Sequence, residues 1–269
     1  MRAADAQYRN VVKGAVTTVQ RPRDRRTFYV FMAATCLVVV FMGFVPTYWL
    51  QLTPGTFIGA PLLHLHAVLF SAWPLYLLVQ TTLAARGRVD RHRAWGLLGI
   101  SLATAMVFVG FAVANNVLAT RLAAGYGDAA RAFHVASISM ITLFGGFVFL
   151  AIVYVSRPDI HKRLMLLATA SMLAPAIARV WFAVTVGIGP GLRPGLGPPR
   201  TVESVLMPAL IADTVVVAGV LYDMRTRGRP HPAYLIGGAV VLAVQVLRVP
   251  LSTTPWWFAI ADFLARFSK

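Results

Sequence analysis

Seven long apolar stretches, each able to cross a lipid bilayer, dominate this chain of 269 residues. A transmembrane helix needs about 20 predominantly apolar residues. The stretches therefore predict an all-α, polytopic membrane bundle of about seven helices. The predicted spans lie near residues 27–48, 59–85, 93–118, 131–155, 161–186, 203–224 and 233–249.

The composition excludes a soluble domain and a disordered chain. Hydrophobic residues make up 58% of the sequence and charged residues only 13%, whereas soluble domains carry roughly a quarter charged residues and disordered chains are poor in apolar ones. The single cysteine, Cys36, excludes a disulfide framework and a cysteine-based zinc site. No GxGxxG or P-loop motif supports nucleotide chemistry.

The net charge of +16 is distributed unevenly over the predicted loops. Of the 25 Lys and Arg residues, 17 lie before the first span and in the loops on its side of the membrane. Two more, Arg179 and Arg248, lie inside predicted spans. The positive-inside rule then predicts a cytoplasmic amino terminus, and seven spans would leave the carboxyl terminus outside. Nucleic acid is not needed as a partner to explain the charge.

The chain divides into three predicted segments. Residues 1–26 form a basic cytoplasmic segment, either a helix lying on the membrane surface or a frayed tail. Residues 27–249 form the transmembrane domain, and residues 250–269 form an interfacial carboxyl-terminal segment containing Trp256 and Trp257.

Four histidines repeat with the helical hairpins. His66 precedes His92 by 26 positions, and His134 precedes His161 by 27. Two such hairpins would give a four-helix core of spans 2–5. This layout resembles that of diheme b-type cytochromes with a four-helix core. The resemblance implies that His66 and His134 hold one heme b, or another metal, near the outer surface, and that His92 and His161 hold a second heme at the inner one. The alternative for His92 and His161 is a solvated turn among lipid headgroups.

A second resemblance covers most of the chain. It rests on LHLHAVLFSAWPLYLLVQTTL (63–83), GRVDRHRAWGLLG (87–99), RPDIHKRLMLLAT (157–169), RGRPHPA (227–233) and VLRVPLSTTPWW (246–257). These strings resemble a widespread family of uncharacterised bacterial polytopic inner-membrane proteins. The family pattern includes histidines at positions 66, 92 and 161. The resemblance implies architecture but no established activity.

Polar residues inside the predicted spans indicate a pocket in the outer half of the membrane. Charges at such depth cost about 2.5–3.5 kcal/mol each on the insertion scale, so they should pair or line a hydrated cavity. His66, Trp73 and Gln80 follow one another at intervals of seven and therefore share one face of their helix. The predicted pocket comprises Trp73, Gln80, Asn115, Arg179, Asp213, Gln245 and Arg248. The alternative is a structural ion pair between Asp213 and one of the two arginines.

The sequence leaves three classes of function open. The leading hypothesis is a heme- or quinone-binding redox protein, with His66 and His134 as the outer ligands and a quinone or another redox protein as partner. The second is a pocket protein without heme that binds a lipid, a quinone or a divalent metal. The third is a cofactor-free structural or assembly subunit. All three place the chain among membrane lipids.

Overall fold

A computed structural model describes residues 24–52, 55, 57, 59–187 and 197–268, with side chains from residue 27 onward. These residues are almost entirely helical, and no strand occurs among them. The predicted all-α fold is therefore confirmed. Most of the basic amino-terminal segment, with its predicted surface helix, lies outside the described residues.

Seven helices in the described part of the chain are long and apolar enough to cross a membrane, which indicates a multi-pass membrane protein. Each begins and ends within several residues of its predicted position, although span 3 starts with a short helix, Val89–Ala94, before its main one. Spans 1 to 7 are Thr27–Leu52, Pro61–Ala85, Val89–Ala123, Gly127–Val153, Pro158–Thr185, Glu203–Arg227 and Pro232–Leu251. We call the end where span 3 connects to span 4 the outer end, and the opposite end the inner end.

Two spans depart from a regular α-helix. Span 1 runs as an α-helix from Asp24 to Phe44, continues as a π-helix over Val45–Trp49, and ends with Leu50–Leu52. Span 5 consists of two helices, Pro158–Ser171 and Ala174–Thr185. The predicted span near 161–186 is thus present, but it is interrupted by a break that the sequence analysis did not predict. Pro175 explains the break, because proline has no backbone N–H and clashes with the preceding turn.

Span 5 lies at the centre of the bundle. Half of the residues in its most apolar window are buried, the largest share among the seven spans. It packs against spans 1, 4, 6 and 7, and its Thr169 accepts a hydrogen bond of 3.1 Å from the indole of Trp73 in span 2. Side chains on the periphery are apolar and exposed, including Leu97, Phe108 and Val184. In a membrane bundle such a surface contacts lipid tails.

A short helix, Pro255–Ala265, follows span 7 and packs against spans 3 and 4. Trp256 is 64% exposed, whereas Trp257 is 5% exposed. The indole of Trp257 donates a hydrogen bond of 2.7 Å to the backbone carbonyl of Arg131. The segment is therefore fixed to the outer end of the bundle by one of its two adjacent tryptophans.

Candidate functional site

A cavity of about 300 Å³ lies among spans 1–5 toward the outer end of the bundle. This volume is at the lower end of the range for small-molecule sites. Every span of the predicted four-helix core contributes to its wall, as do span 1, the segment before span 6, and span 7. The break in span 5 borders the cavity, because Met172 and Leu173 line it. In membranes, irregular backbone is tolerated where it is enclosed by protein or lines such a space.

Four arginines from four different segments line the cavity: Arg121, Arg179, Arg200 and Arg248. Among the described residues that line it, none is Asp or Glu. Because they are far apart in sequence, only the folded bundle places all four in the wall of one cavity. The cavity therefore carries a concentrated positive charge.

Arg179 is held by the two irregular stretches of backbone. Its Nε donates to the hydroxyl of Thr47, in the π-helix of span 1, at 3.1 Å. Another guanidinium nitrogen donates to the carbonyl of Pro175, beside the break in span 5, at 2.8 Å. The guanidinium carbon also lies 4.3 Å from the ring centroid of Phe44. These contacts position the charge without neutralising it.

Arg121 and Arg200 lie against aromatic rings. The guanidinium carbon of Arg121 is 5.2 Å from the ring centroid of Phe133, and that of Arg200 is 4.5 Å from the ring centroid of Phe182. Cation–π contacts of this kind contribute about 0.5–2 kcal/mol, depending on desolvation. They leave the guanidinium N–H groups available as hydrogen-bond donors.

Two of the arginines carry buried donors with no acceptor. Arg121 is 8% exposed and Arg248 is 4% exposed. The Nε of each is buried and makes no hydrogen bond within the part of the chain that the structure describes. An unsatisfied buried donor on a charged group costs at least about 1–3 kcal/mol. An anion in the cavity would supply acceptors to the parts of these guanidinium groups that line it.

The remaining wall of the cavity is largely apolar and aromatic. Phe70, Trp73, Met106, Met140 and Ile141 line it below the arginines. The site thus combines a cationic region near the outer end with an apolar region deeper in the bundle, which is the polarity profile of an amphiphile.

His66 is the histidine that lines this cavity. Its ring stacks on Phe70 with centroids 3.9 Å apart, and its Nδ1 is buried without a hydrogen-bond partner in the described structure. His134 is 3% exposed and faces the ring of Trp257, with centroids 6.1 Å apart. Because His134 is not among the described residues that line the cavity, the two predicted outer ligands do not share it.

The structure brings His92 and His161 together at the inner end. Their ring centroids are 6.4 Å apart and the rings are perpendicular. The Nδ1 of His161 donates to the carbonyl of Ala151 at 2.8 Å, which leaves its Nε2 as an acceptor. No group of three or more His, Cys, Asp or Glu residues with metal-site geometry occurs in the described residues.

The predicted pocket residues divide between the cavity and other places. His66, Trp73, Arg179 and Arg248 line the cavity. The other four, outside the described lining, are Asn115, Gln80, Asp213 and Gln245. Asn115 is buried near the outer end. Gln80 lies toward the inner end, where its amide donates to the hydroxyl of Tyr76 at 2.5 Å.

Asp213 forms no ion pair within the described chain. It instead accepts a hydrogen bond of 3.2 Å from the side-chain amide of Gln245. Arg248 acts on it electrostatically over a longer distance. The predicted ion pair between Asp213 and one of the intramembrane arginines is therefore replaced by an amide–carboxylate contact.

The buried ion pair is found elsewhere, at the inner end. Arg163, 2% exposed, forms a two-point salt bridge with Asp223, which is fully buried. The Nε of Arg163 donates to Asp223 at 2.8 Å, and a second nitrogen donates to the other carboxylate oxygen. A further nitrogen donates to the carbonyl of Asp159 at 2.5 Å. Sequence reasoning placed Arg163 among inner-loop charges and missed this pair, as it missed Arg121 and Arg200 in the cavity.

No protein-family profile, curated protein or solved structure matches the chain. The resemblances to diheme cytochromes and to the bacterial inner-membrane family therefore stay predictions. The geometry of the cavity carries the functional argument.

Proposed function

We propose that this membrane protein binds an anionic amphiphile in the cavity at the outer end of its bundle. The observation that carries this proposal is the placement of four arginines, with no acidic residue among the described lining, above an apolar wall. The head group would contact the guanidinium groups, and the hydrocarbon part would lie against Phe70, Met106 and Met140. Membrane lipids are the nearest source of such molecules.

The choice of arginine supports a phosphate or carboxylate head group. Guanidinium presents N–H donors in a planar fork that matches both groups, and it is more weakly hydrated than an ammonium. Charge-assisted hydrogen bonds of this type are roughly twice as strong as neutral ones. The guanidinium groups of Arg121 and Arg248, which line the cavity and form no ion pair with a described carboxylate, would each gain an acceptor on binding. A neutral quinone offers no charge to match these groups.

Heme b is a second candidate, because His66 lines the same cavity with a buried, unpartnered Nδ1. Heme is itself an anionic amphiphile, and its propionates would face the arginines while His66 supplied one axial ligand. His134 would not supply the other from its place beside Trp257. This redox hypothesis therefore takes a form with one histidine ligand rather than the predicted pair.

Native mass spectrometry of the protein purified in a nonionic detergent tests the main proposal. We expect wild-type protein to retain an anionic lipid, and the double variant Arg121→Gln, Arg248→Gln to lose it. Arg131→Gln is the matched control, since Arg131 lies at the same end but pairs with Asp128 and Asp262 outside the cavity lining. Equal retention by the double variant would contradict the proposal.

An absorbance spectrum before and after dithionite reduction separates the two candidates. A reduced-minus-oxidised heme spectrum that disappears in His66→Ala, but persists in His64→Ala, would favour heme b. His64 is the suitable control because it is exposed two positions away and hydrogen-bonds to Tyr48. A folded, colourless preparation would exclude the heme candidate and leave the lipid.

A further inference from the structure

The charge of the cavity also constrains the head group, on the basis of the proposed function. None of the four lining arginines forms an ion pair with a described carboxylate. Asp213 is the acidic group that acts on Arg248, and it lies outside the described lining. Even when Asp213 is set against Arg248, three guanidinium charges in the cavity have no counterion.

A singly charged head group would leave most of this charge uncompensated. Carboxylates and phosphodiesters carry one negative charge, so two or more guanidinium groups would remain unpaired in a largely apolar site. An unpaired charge is costly where it is buried, as it is at Arg121 and Arg248. A phosphate monoester carries a charge of about −1.5 to −2 at pH 7 and three terminal oxygens. A diphosphate carries more negative charge and more terminal oxygens.

The hydrogen-bond donors lead to the same conclusion. Arg179 already uses its Nε and one further nitrogen on Thr47 and Pro175. Arg121 and Arg248 come from spans 3 and 7, and both line the cavity without an ion pair to a described carboxylate. A head group that serves both needs several oxygens pointing in different directions, as the terminal oxygens of a phosphate monoester do.

We infer that the ligand is a hydrocarbon chain ending in a phosphate monoester or a diphosphate, rather than a fatty acid or a phosphodiester lipid. The phosphate lies among the four arginines, and the chain lies along the apolar wall. At neutral pH the cavity distinguishes these ligands by head-group charge rather than by chain chemistry.

Three probes with the same chain test this inference: dodecyl phosphate, dodecyl methyl phosphate and dodecanoate. Trp49 and Trp73 line the cavity, so quenching of tryptophan fluorescence reports binding in detergent. At pH 8 we expect dodecyl phosphate to bind at least about tenfold more tightly than the other two probes, a factor worth about 1.4 kcal/mol. At pH 5 its advantage over dodecyl methyl phosphate should shrink, because the second pKa of a phosphate monoester is about 6.

Single variants locate the selectivity. Arg121→Gln and Arg248→Gln should each reduce the preference for the monoester, whereas Arg131→Gln should preserve it. Equal affinities for the monoester and the methyl diester would overturn the inference but leave amphiphile binding intact. Failure of all three dodecyl probes to bind would contradict the proposed function itself. Inorganic phosphate that binds as tightly as dodecyl phosphate would overturn both, because the apolar wall would then contribute nothing.

Discussion

Buried arginines at the two ends of the bundle differ in whether they have hydrogen-bond partners. At the inner end, Arg163 is 2% exposed, and its guanidinium nitrogens are matched by Asp223 and a backbone carbonyl. At the outer end, Arg121 and Arg248 are nearly as buried, yet each has an Nε without an acceptor in the described structure. Burial alone therefore does not distinguish a structural cation from a binding one. The presence or absence of a partner for the guanidinium group distinguishes the two.

The inner pair also connects three parts of the chain. Arg163 belongs to span 5 and Asp223 to span 6. The carboxylate of Asp223 also accepts a hydrogen bond of 3.2 Å from the backbone N–H of His231, just before span 7. Nearby, the guanidinium carbon of Arg163 is 5.7 Å from the ring centroid of Tyr234. The Arg163–Asp223 pair is thus hydrogen-bonded on several sides and needs no ligand as a partner.

Breaking the inner pair should give the largest effect. Asp223→Ala leaves buried Arg163 with only the longer contact to the exposed carboxylate of Asp159, at 3.5 Å, so we expect a loss of roughly 3–5 kcal/mol in the free energy of unfolding. Denaturant unfolding in detergent, followed by helical circular dichroism, would measure it. Asp262→Ala removes a half-exposed partner of Arg131 and should cost no more than about 1 kcal/mol. Similar losses in the two variants would show that the inner pair is hydrated.

Removing an outer arginine should act in the opposite direction. Arg121→Met and Arg248→Met each replace a buried charge that lacks a full set of partners. In ligand-free protein we expect unchanged or higher stability, by up to about 2–3 kcal/mol on the insertion scale. Thermal unfolding after delipidation is the measurement, and Arg163→Met, which should destabilise, is the contrast. A destabilised Arg121→Met protein, free of ligand, would mean that the outer arginines are structural.

Asp213→Asn should have a smaller effect. The structure gives Asp213 a hydrogen bond to the amide of Gln245 rather than an ion pair with an arginine. An asparagine can still accept that bond, so we expect a change of about 1 kcal/mol or less in the free energy of unfolding. A loss several times larger, rescued by the additional change Arg248→Gln, would restore the ion pair that the sequence predicted.

The sequence predicted the spans because apolarity is a local property of the chain. Arg179 and Arg248 were also visible, since a charge inside an apolar stretch stands out. Arg121 and Arg200 were not, because they lie at a helix end and in a loop, where basic residues are ordinary. Only the packing of spans 3, 5 and 7 with the segment before span 6 places all four arginines in the wall of one cavity.

The ion pair at the inner end was not predicted from the sequence for a different reason. Arg163 and Asp223 are 60 positions apart, and each lies near the inner end of its span. An error of a few residues in a predicted helix end moves such a residue between water and the core. The break at Pro175 could have been predicted, because a proline inside a helical stretch ends or kinks the helix.

The smallest expected effect is a pH dependence of stability that arises at His231, a residue beside the inner pair. The Nδ1 of His231 accepts a hydrogen bond of 3.0 Å from the backbone N–H of Ala233 and so caps span 7. Burial, followed by the positive charges of Arg163 and Arg227, lowers the pKa of His231 below its ordinary value of 6.5. Protonation would also remove the accepting lone pair of the cap. The folded protein therefore favours neutral histidine at this position.

Because the folded protein favours neutral His231, its stability should decrease as the pH falls. As the pH falls below 6.5, the unfolded chain takes up a proton at His231 that the folded chain resists, so the contribution of this residue to stability decreases. Above pH 6.5 that contribution is complete. His231→Asn keeps a side-chain oxygen that can cap the helix but does not titrate. We therefore expect its thermal midpoint to fall less than that of the wild type between pH 7.5 and pH 5, and His231→Ala to lose about 1 kcal/mol at both pH values. A wild-type midpoint that shifts between these pH values by as much as that of His231→Asn would show that His231 remains hydrated and that the inner end does not depend on its neutral form.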